Sequence, residues 1–209
     1  SYEAGMWGDV RKYALDVMTG VLPVDANGNP TTPPIWSAAT QIDAQAASDG
    51  WDTKRRIVTM RTDNNAVVPF RVNNLSATQQ TGLNAGWSGI VPQPTAAEVL
   101  NYLRGDRTKE GVTTTSFRSR AHILGDIVYS SAVPVGPPSL PYTDGTNPGY
   151  ESFKASKAGR TSMVYAGAND GMMHALYDNV ADGGKEAWAY VPKAMYTGGD
   201  PNDSAHAPN

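Results

Sequence analysis

The sequence predicts an all-β protein built on four-stranded antiparallel meanders, and three observations carry that prediction. Among 209 residues, 21 glycines and 15 prolines fall largely between short β-rich runs, which favours strands joined by turns over a helical bundle. Four such runs follow one another between Ser130 and Pro192. Two of them flank Asn169-Asp170-Gly171, residue types that tolerate the φ > 0 geometry of a tight hairpin.

In chain order, a strand is expected from Tyr2 to Asp16, containing RKYALD (Arg11 to Asp16), then a long loop from Val21 to Pro34 and a tryptophan at Trp36. RRIVTM (Arg55 to Met60), a polar turn at Asp63-Asn64-Asn65 and VVPFRV (Val67 to Val72) read as a hairpin. Residues Pro94 to Leu103 read as a short helix with Thr95 as N-cap and Gly105 at its end. The final meander comprises SSAVPVG (Ser130 to Gly136), a Pro/Gly/Tyr-rich insertion (Pro137 to Gly159), MVYAGA (Met163 to Ala168), MMHALY (Met172 to Tyr177) and EAWAYVP (Glu186 to Pro192).

A four-stranded meander is the repeating unit of β-propellers. RKYALD aligns on Ala-Leu with MMHALY, each followed by a glycine-bearing turn and then a tryptophan, Trp36 or Trp188. The expected architecture is therefore part of an irregular β-propeller. First blades occupy about 1–72, an insertion with the short helix 73–120, a nearly complete blade 121–192 and a loop 193–209. A ring of four to eight blades of about 40 residues exceeds this length. The opening inside a strand and the polar tail from Gly198 to Asn209 likewise lead us to expect part of a larger domain.

A formal charge of −3 without a dense Lys/Arg run argues against nucleic-acid and anionic-lipid partners, both of which need clustered positive charge. No apolar stretch approaches the roughly 20 residues of a membrane-spanning helix. The absence of cysteine excludes disulfides, thiolate zinc sites and cysteine nucleophiles, and leaves the compartment open.

Asp25, Asn27 and Asn29 are the candidate metal ligands, because they place oxygen side chains at alternate positions like the start of an EF-hand loop. Pro30 and Trp36 stand where that loop needs Gly and Glu, so a solvated turn is the competing reading. Asp178, Asp182 and Gly183-Gly184 form a second loop of this composition. Arg104-Gly105-Asp106 is the tripeptide integrins recognise and is the candidate adhesion element; a glycine closing a helix between charged residues explains it equally. The histidines His122, His174 and His206 are widely spaced, and His174, in mid-strand, is expected to be held by packing or one hydrogen bond. Ser130 or Ser131 with a histidine and an aspartate would supply the residue types of a hydrolytic triad, but no nucleophile-elbow motif surrounds them. The five tryptophans, Trp7, Trp36, Trp51, Trp87 and Trp188, could stack sugars or seal apolar contacts.

Several segments resemble the C-terminal domain of the PilC/PilY family of type IV pilus proteins. They are LRGD (Leu103 to Asp106), FRSRAHILGDIVYSSAVPVGPP (Phe117 to Pro138), Tyr150 to Phe153, RTSMVYAGANDGMMHALY (Arg160 to Tyr177) and EAWAYVP. The opening is similar too, with Trp7-Gly8-Asp9, YALD, a Thr-Gly turn, the Trp-Ser-Ala-Ala stretch at Trp36 and RRIVTM. Tyr177 and Ala132 depart from the family pattern, where an acidic residue and a proline are commoner. The resemblance implies an exported, non-enzymatic module at the pilus tip and bacterial cell surface that supports pilus biogenesis, extension and twitching. It further implies minor pilins or other pilus proteins as partners, with adhesion to host cells or abiotic surfaces. Calcium is a cofactor in some members, bound by a later Asp-rich loop that is not found in this chain.

The alternative is a quinone-dependent dehydrogenase or an outer-membrane assembly propeller, since VYAGANDGMMHAL also resembles their repeat. The irregular insertions favour the pilus reading. Docking is expected to use an exposed blade edge, where unpaired N–H and C=O groups template a further strand.

Overall fold

The computed structural model describes residues 8–87, 89–113, 115–128 and 130–196. A short antiparallel pair, β1 (Arg11–Lys12) and β2 (Trp36–Ser37), runs directly into helix α1 (Ala38–Ala46). Ser37 caps that helix by accepting the Thr40 amide at 3.3 Å. Its Ala38, Ile42 and Ala46 recur every four residues and are buried, giving one inward face. The single-turn helix α2 (Gly50–Thr53) follows.

The hairpin of β3 (Ile57–Met60) and β4 (Val67–Pro69) turns through Asn65 at φ +57°. Helices α3 (Ala77–Ala85) and α4 (Ala96–Arg104) pack together, and each begins with a reciprocal capping box, Ser76 with Gln79 and Thr95 with Glu98. Gly105 ends α4 at φ +119°, a left-handed conformation that glycine adopts without strain. A small parallel pair, β5 (Glu110–Gly111) and β6 (Phe117–Arg118), closes the insertion. Then come β7 (Val133–Val135), helix α5 (Tyr150–Ser156), β8 (Met163–Ala168), β9 (Met172–Tyr177) and β10 (Glu186–Val191).

These strands assemble a six-stranded sheet ordered β4-β3-β10-β9-β8-β7. Strands β7 to β10 form the expected antiparallel meander, and the Asn169-Asp170-Gly171 turn uses Gly171 at φ +81°. The β3–β4 hairpin joins this same sheet, because β3 lies parallel to β10 with Ile57 opposite Ala189 and Thr59 opposite Val191. All four of these side chains are buried on one face, so separating the hairpin would expose an apolar row.

Two features differ from the sequence expectation. RKYALD does not form a counterpart of β9: only Arg11–Lys12 is strand, because Asp16 instead accepts the Met18 and Thr19 amides and closes a turn. Residues 2–7 of the expected strand lie outside the described residues. Helices are also more numerous than the one expected. Side-chain caps at Ser37 and Ser76 start α1 and α3, satisfying amides that the first turn leaves without partners.

The core has two parts on the same side of the sheet. One packs α1 and the segment at Ile123–Leu124 onto Val164, Ala166 and Leu176. The other packs Phe70, Leu75 and Leu100 onto Ile57, Met172, Ala189 and Val191.

Candidate functional site

Between the two apolar clusters lies a group of buried charges that four separate segments bring together. Arg55, just before β3, donates through Nε to Glu186 Oε2 at 2.8 Å and through Nη2 to Glu186 Oε1 at 2.7 Å. The paired fork-to-carboxylate geometry is the strongest form of this contact. His174 in β9 approaches Glu186 Oε1 through Nδ1 at 2.8 Å, while its Nε2 lies 3.1 Å from Asp170 Oδ2. Asp170 also accepts the Gly125 and Met172 amides. Gln45 of α1 accepts the Glu186 amide and donates to the Glu186 carbonyl, which ties the helix to the sheet.

Electrostatics make this group a set of fixed ions. Burial opposes charge on His174, yet Asp170 and then Glu186 outweigh it and push the imidazole up to about 9. Burial likewise opposes charge on Glu186, but Arg55 and His174 hold its carboxyl far below the usual range. Asp170 is also held low against its burial, chiefly by His174. Two cations thus face two anions, which is how buried charge is tolerated. Both imidazole nitrogens are engaged by carboxylates, so His174 has no free nitrogen to act on a substrate.

A second buried cation sits beside this group. Arg104, at the end of α4, is 1% exposed and donates to the carbonyls of Phe70, Trp51 and Asp52. Burial, followed by Arg71 and Arg55, pushes it down to about 10, so it remains charged at neutral pH. Its own carbonyl accepts Arg55 Nη1 at 2.6 Å, which couples the two arginines.

Two clefts flank the charges. One, of about 550 Å³, is apolar, with Leu83, Trp87, Leu103, Met172 and Tyr196 on its walls and the Asn169–Gly171 turn at its rim. The other, of about 510 Å³, has mixed walls, with Asp43, Asp106 and Arg107 beside Ala46, Trp51 and Ile123. Asp43 is engaged there by His122 Nδ1 at 2.6 Å and by the Ile123 amide at 2.9 Å.

The candidates read from sequence fall as follows. Asp25 lies in an exposed loop and spends its carboxylate inside it, accepting the Asn27 and Asn29 amides and the Asn29 side chain. Asn27 and Asn29 share that turn, which has the internal bonding of an Asx turn. Asp182 pairs with Lys185, and Asp178 with Lys12. Among the described residues, no group of three or more His, Cys, Asp or Glu is placed to hold a metal ion. The Arg104-Gly105-Asp106 reading needs correction as an exposed element, because the Arg104 guanidinium points inward and is consumed by main-chain carbonyls. Ser130 Oγ accepts the Gly167 amide. His206 and Trp7 lie outside the described residues.

The buried ionic group is what sequence reading missed. The sequence expectation for His174 is packing or one hydrogen bond, and it instead bridges two carboxylates. A signal was present: a histidine and a glutamate stand in otherwise apolar runs, MMHALY and EAWAYV, where an unpaired ionisable group would be costly.

Comparison with known proteins follows the same outline. Residues 124–208 match the family model of the PilY1 beta-propeller domain. A type IV pilus biogenesis factor PilY1 homolog of Xylella fastidiosa is 34% identical over 196 residues, covering 91% of this chain and 13% of that protein. The type IV pilus biogenesis factor PilY1 of Pseudomonas aeruginosa strain PAK is 32% identical over 169 residues, 78% of this chain and 14% of that protein. The chain therefore spans about one-seventh of the length of these curated relatives. No solved structure matches it.

Proposed function

The chain belongs to the PilY1 family, and on that premise we propose that it is a non-enzymatic structural module of a type IV pilus biogenesis factor. The observation that carries this reading is the match over 91% of the chain to a protein of that name. The site chemistry agrees with it, since the buried ionisable groups engage one another and hold the sheet to its helices. In this role the module acts at the exported, surface-located end of the pilus system and docks to pilus proteins such as minor pilins. Adhesion to host cells or abiotic surfaces belongs to the same proposal. It uses surfaces other than the Arg104 guanidinium, which is buried.

The test is complementation. A strain lacking the Xylella fastidiosa relative receives that relative with its matched segment replaced by this chain, and pili and twitching are scored. Restored piliation supports the proposal, and stable protein without pili refutes it. Attachment to cells and to glass is scored separately, so that biogenesis and adhesion are told apart. Dye-linked alcohol oxidation on adding quinone and calcium would overturn the non-enzymatic assignment.

A further inference from the structure

The mixed-walled cleft of about 510 Å³ brings together an indole, two carboxylates and a guanidinium from separate parts of the chain. Asp43 comes from α1, Trp51 from α2, and Asp106 and Arg107 from the residues that follow α4. The volume lies within the roughly 300–1,000 Å³ of small-molecule sites. Trp51 is half-buried, packed against the apolar cluster around α1, and forms part of the cleft wall. The side chains of Asp43 and Arg107 keep 29% and 41% of their surface exposed, so a ligand in the cleft can reach them.

These groups are already oriented. Asp43 accepts the Ile123 amide through Oδ1 at 2.9 Å and meets His122 Nδ1 through Oδ2 at 2.6 Å. Asp106 Oδ1 accepts the Thr108 amide at 2.9 Å. Arg107 Nη2 donates to the Ala121 carbonyl at 3.2 Å and stands 3.9 Å from Asp43 Oδ1. Carboxylate oxygens have more than one lone pair and a guanidinium has several N–H groups, so the wall offers both acceptors and donors to a ligand. Gly105 packs so closely against Ile123 and Trp51 that an added Cβ would meet them at 3.2 and 3.3 Å, which holds the turn carrying Asp106 against Trp51. Ser48, also on the wall, has φ +58°, a conformation that non-glycine residues adopt at a cost and that recurs at ligand sites.

We propose that this cleft binds a neutral hexopyranose sugar, with the apolar C–H face of the ring on Trp51 and its hydroxyls shared among Asp43, Asp106 and Arg107. The charge set selects that ligand. An anion in the cleft faces two carboxylates, and a cation faces Arg107, which Asp43 answers only at 3.9 Å. A hydroxyl both donates and accepts, so a sugar uses carboxylates and guanidinium together and adds no charge. An entirely apolar ligand would desolvate these groups without bonding to them. The indole supplies a large apolar surface, matched to a ring that is polar at its edge and apolar on its face. The inference gives the adhesion reading a ligand class but rests on the cleft alone, so its failure leaves the biogenesis assignment standing.

The test is a titration of the isotope-labelled chain with glucose, galactose, mannose and N-acetylglucosamine. The indole N–H resonance of Trp51, identified by its loss in Trp51→Phe, is followed by NMR. The expected result is a saturable shift with at least one of these sugars, half-complete on the order of 1 mM. Asp106→Asn and Arg107→Gln should each weaken binding about fivefold or more at an unchanged melting temperature. Trp188→Phe, whose native ring lies against Tyr165 and outside the cleft, should leave it unaltered. No shift of the Trp51 resonance up to about 100 mM sugar would overturn the proposal, as would unchanged affinity in both polar variants. Tighter binding of glucosamine or glucuronate than of the neutral sugars would overturn it too, because the cleft would then select charge. Titration with a mammalian glycan and with a fragment of a neutral bacterial polysaccharide separates the two sources of such a sugar, and a shift of the same resonance by either supports the site.

Discussion

The imidazole of His174 stands 2.8 Å from the carboxylate of Glu186, and both side chains are fully excluded from solvent. One ring nitrogen thereby links β9 to the start of β10 while the other holds Asp170 at the hairpin turn. A change in the charge of this ring is therefore felt across the sheet.

Stability should fall with rising pH between about 6.5 and 9. The His174 value is raised from 6.5 to about 9, so its contribution is fully present below 6.5 and lost as pH rises through 9. That shift corresponds to on the order of 3 kcal/mol. Glu186 and Asp170 are lowered from 4.5 and 3.8, so their contribution is present above those values and lost as pH falls through the folded ones. Thermal melts should show a maximum between about pH 4.5 and 6.5, and His174→Gln should remove the alkaline decline. A flat wild-type profile from pH 6 to 9.5 would mean that the ring is neutral in the fold.

Arg55→Met should cost about 3–5 kcal/mol in urea denaturation, because it leaves Glu186 buried without its main counter-charge. The double variant Arg55→Met, Glu186→Leu should lose less than the single one, since no uncompensated ion remains. If the two losses simply add, the pair is not coupled.

Gly105→Ala should lower stability by about 1–2 kcal/mol. The backbone there has φ +119°, and an added Cβ would meet Ile123 at 3.2 Å and Trp51 at 3.3 Å. Gly28, also at positive φ but with nothing within 4 Å, should lose less on the same change. Equal melting shifts would show that the contacts at position 105 are relaxed at no cost.

We propose that calcium used by proteins of this type is held outside the Asp25 loop. Calcium titrated into the chain should then give no calorimetric signal that Asp25→Ala removes, because Asp25 already accepts three hydrogen bonds within its own turn. A binding isotherm that appears with the unaltered chain and is absent in Asp25→Ala would place an ion there.

The local elements were legible to the extent that their signals are local. The strands around Asn169-Asp170-Gly171 follow from turn chemistry, and α4 from Thr95 and Gly105 at its two ends. The hairpin β3–β4 was visible for the same reason. Helices α1 and α3 carry equivalent capping signals at Ser37 and Ser76, which the strand-based reading of those stretches does not use.

By itself the sequence determined the meander, its turn and the kinship of its motifs, because each depends on residues near one another in the chain. Tertiary structure alone decided the parallel docking of β3 on β10, since register between strands over 120 residues apart is set by which buried rows match, Ile57 with Ala189 and Thr59 with Val191. It alone turned Arg104 inward and brought Arg55 to Glu186, 131 positions away. A charge chooses its partner only when folding has removed water from both, and no spacing in the chain records where that happens.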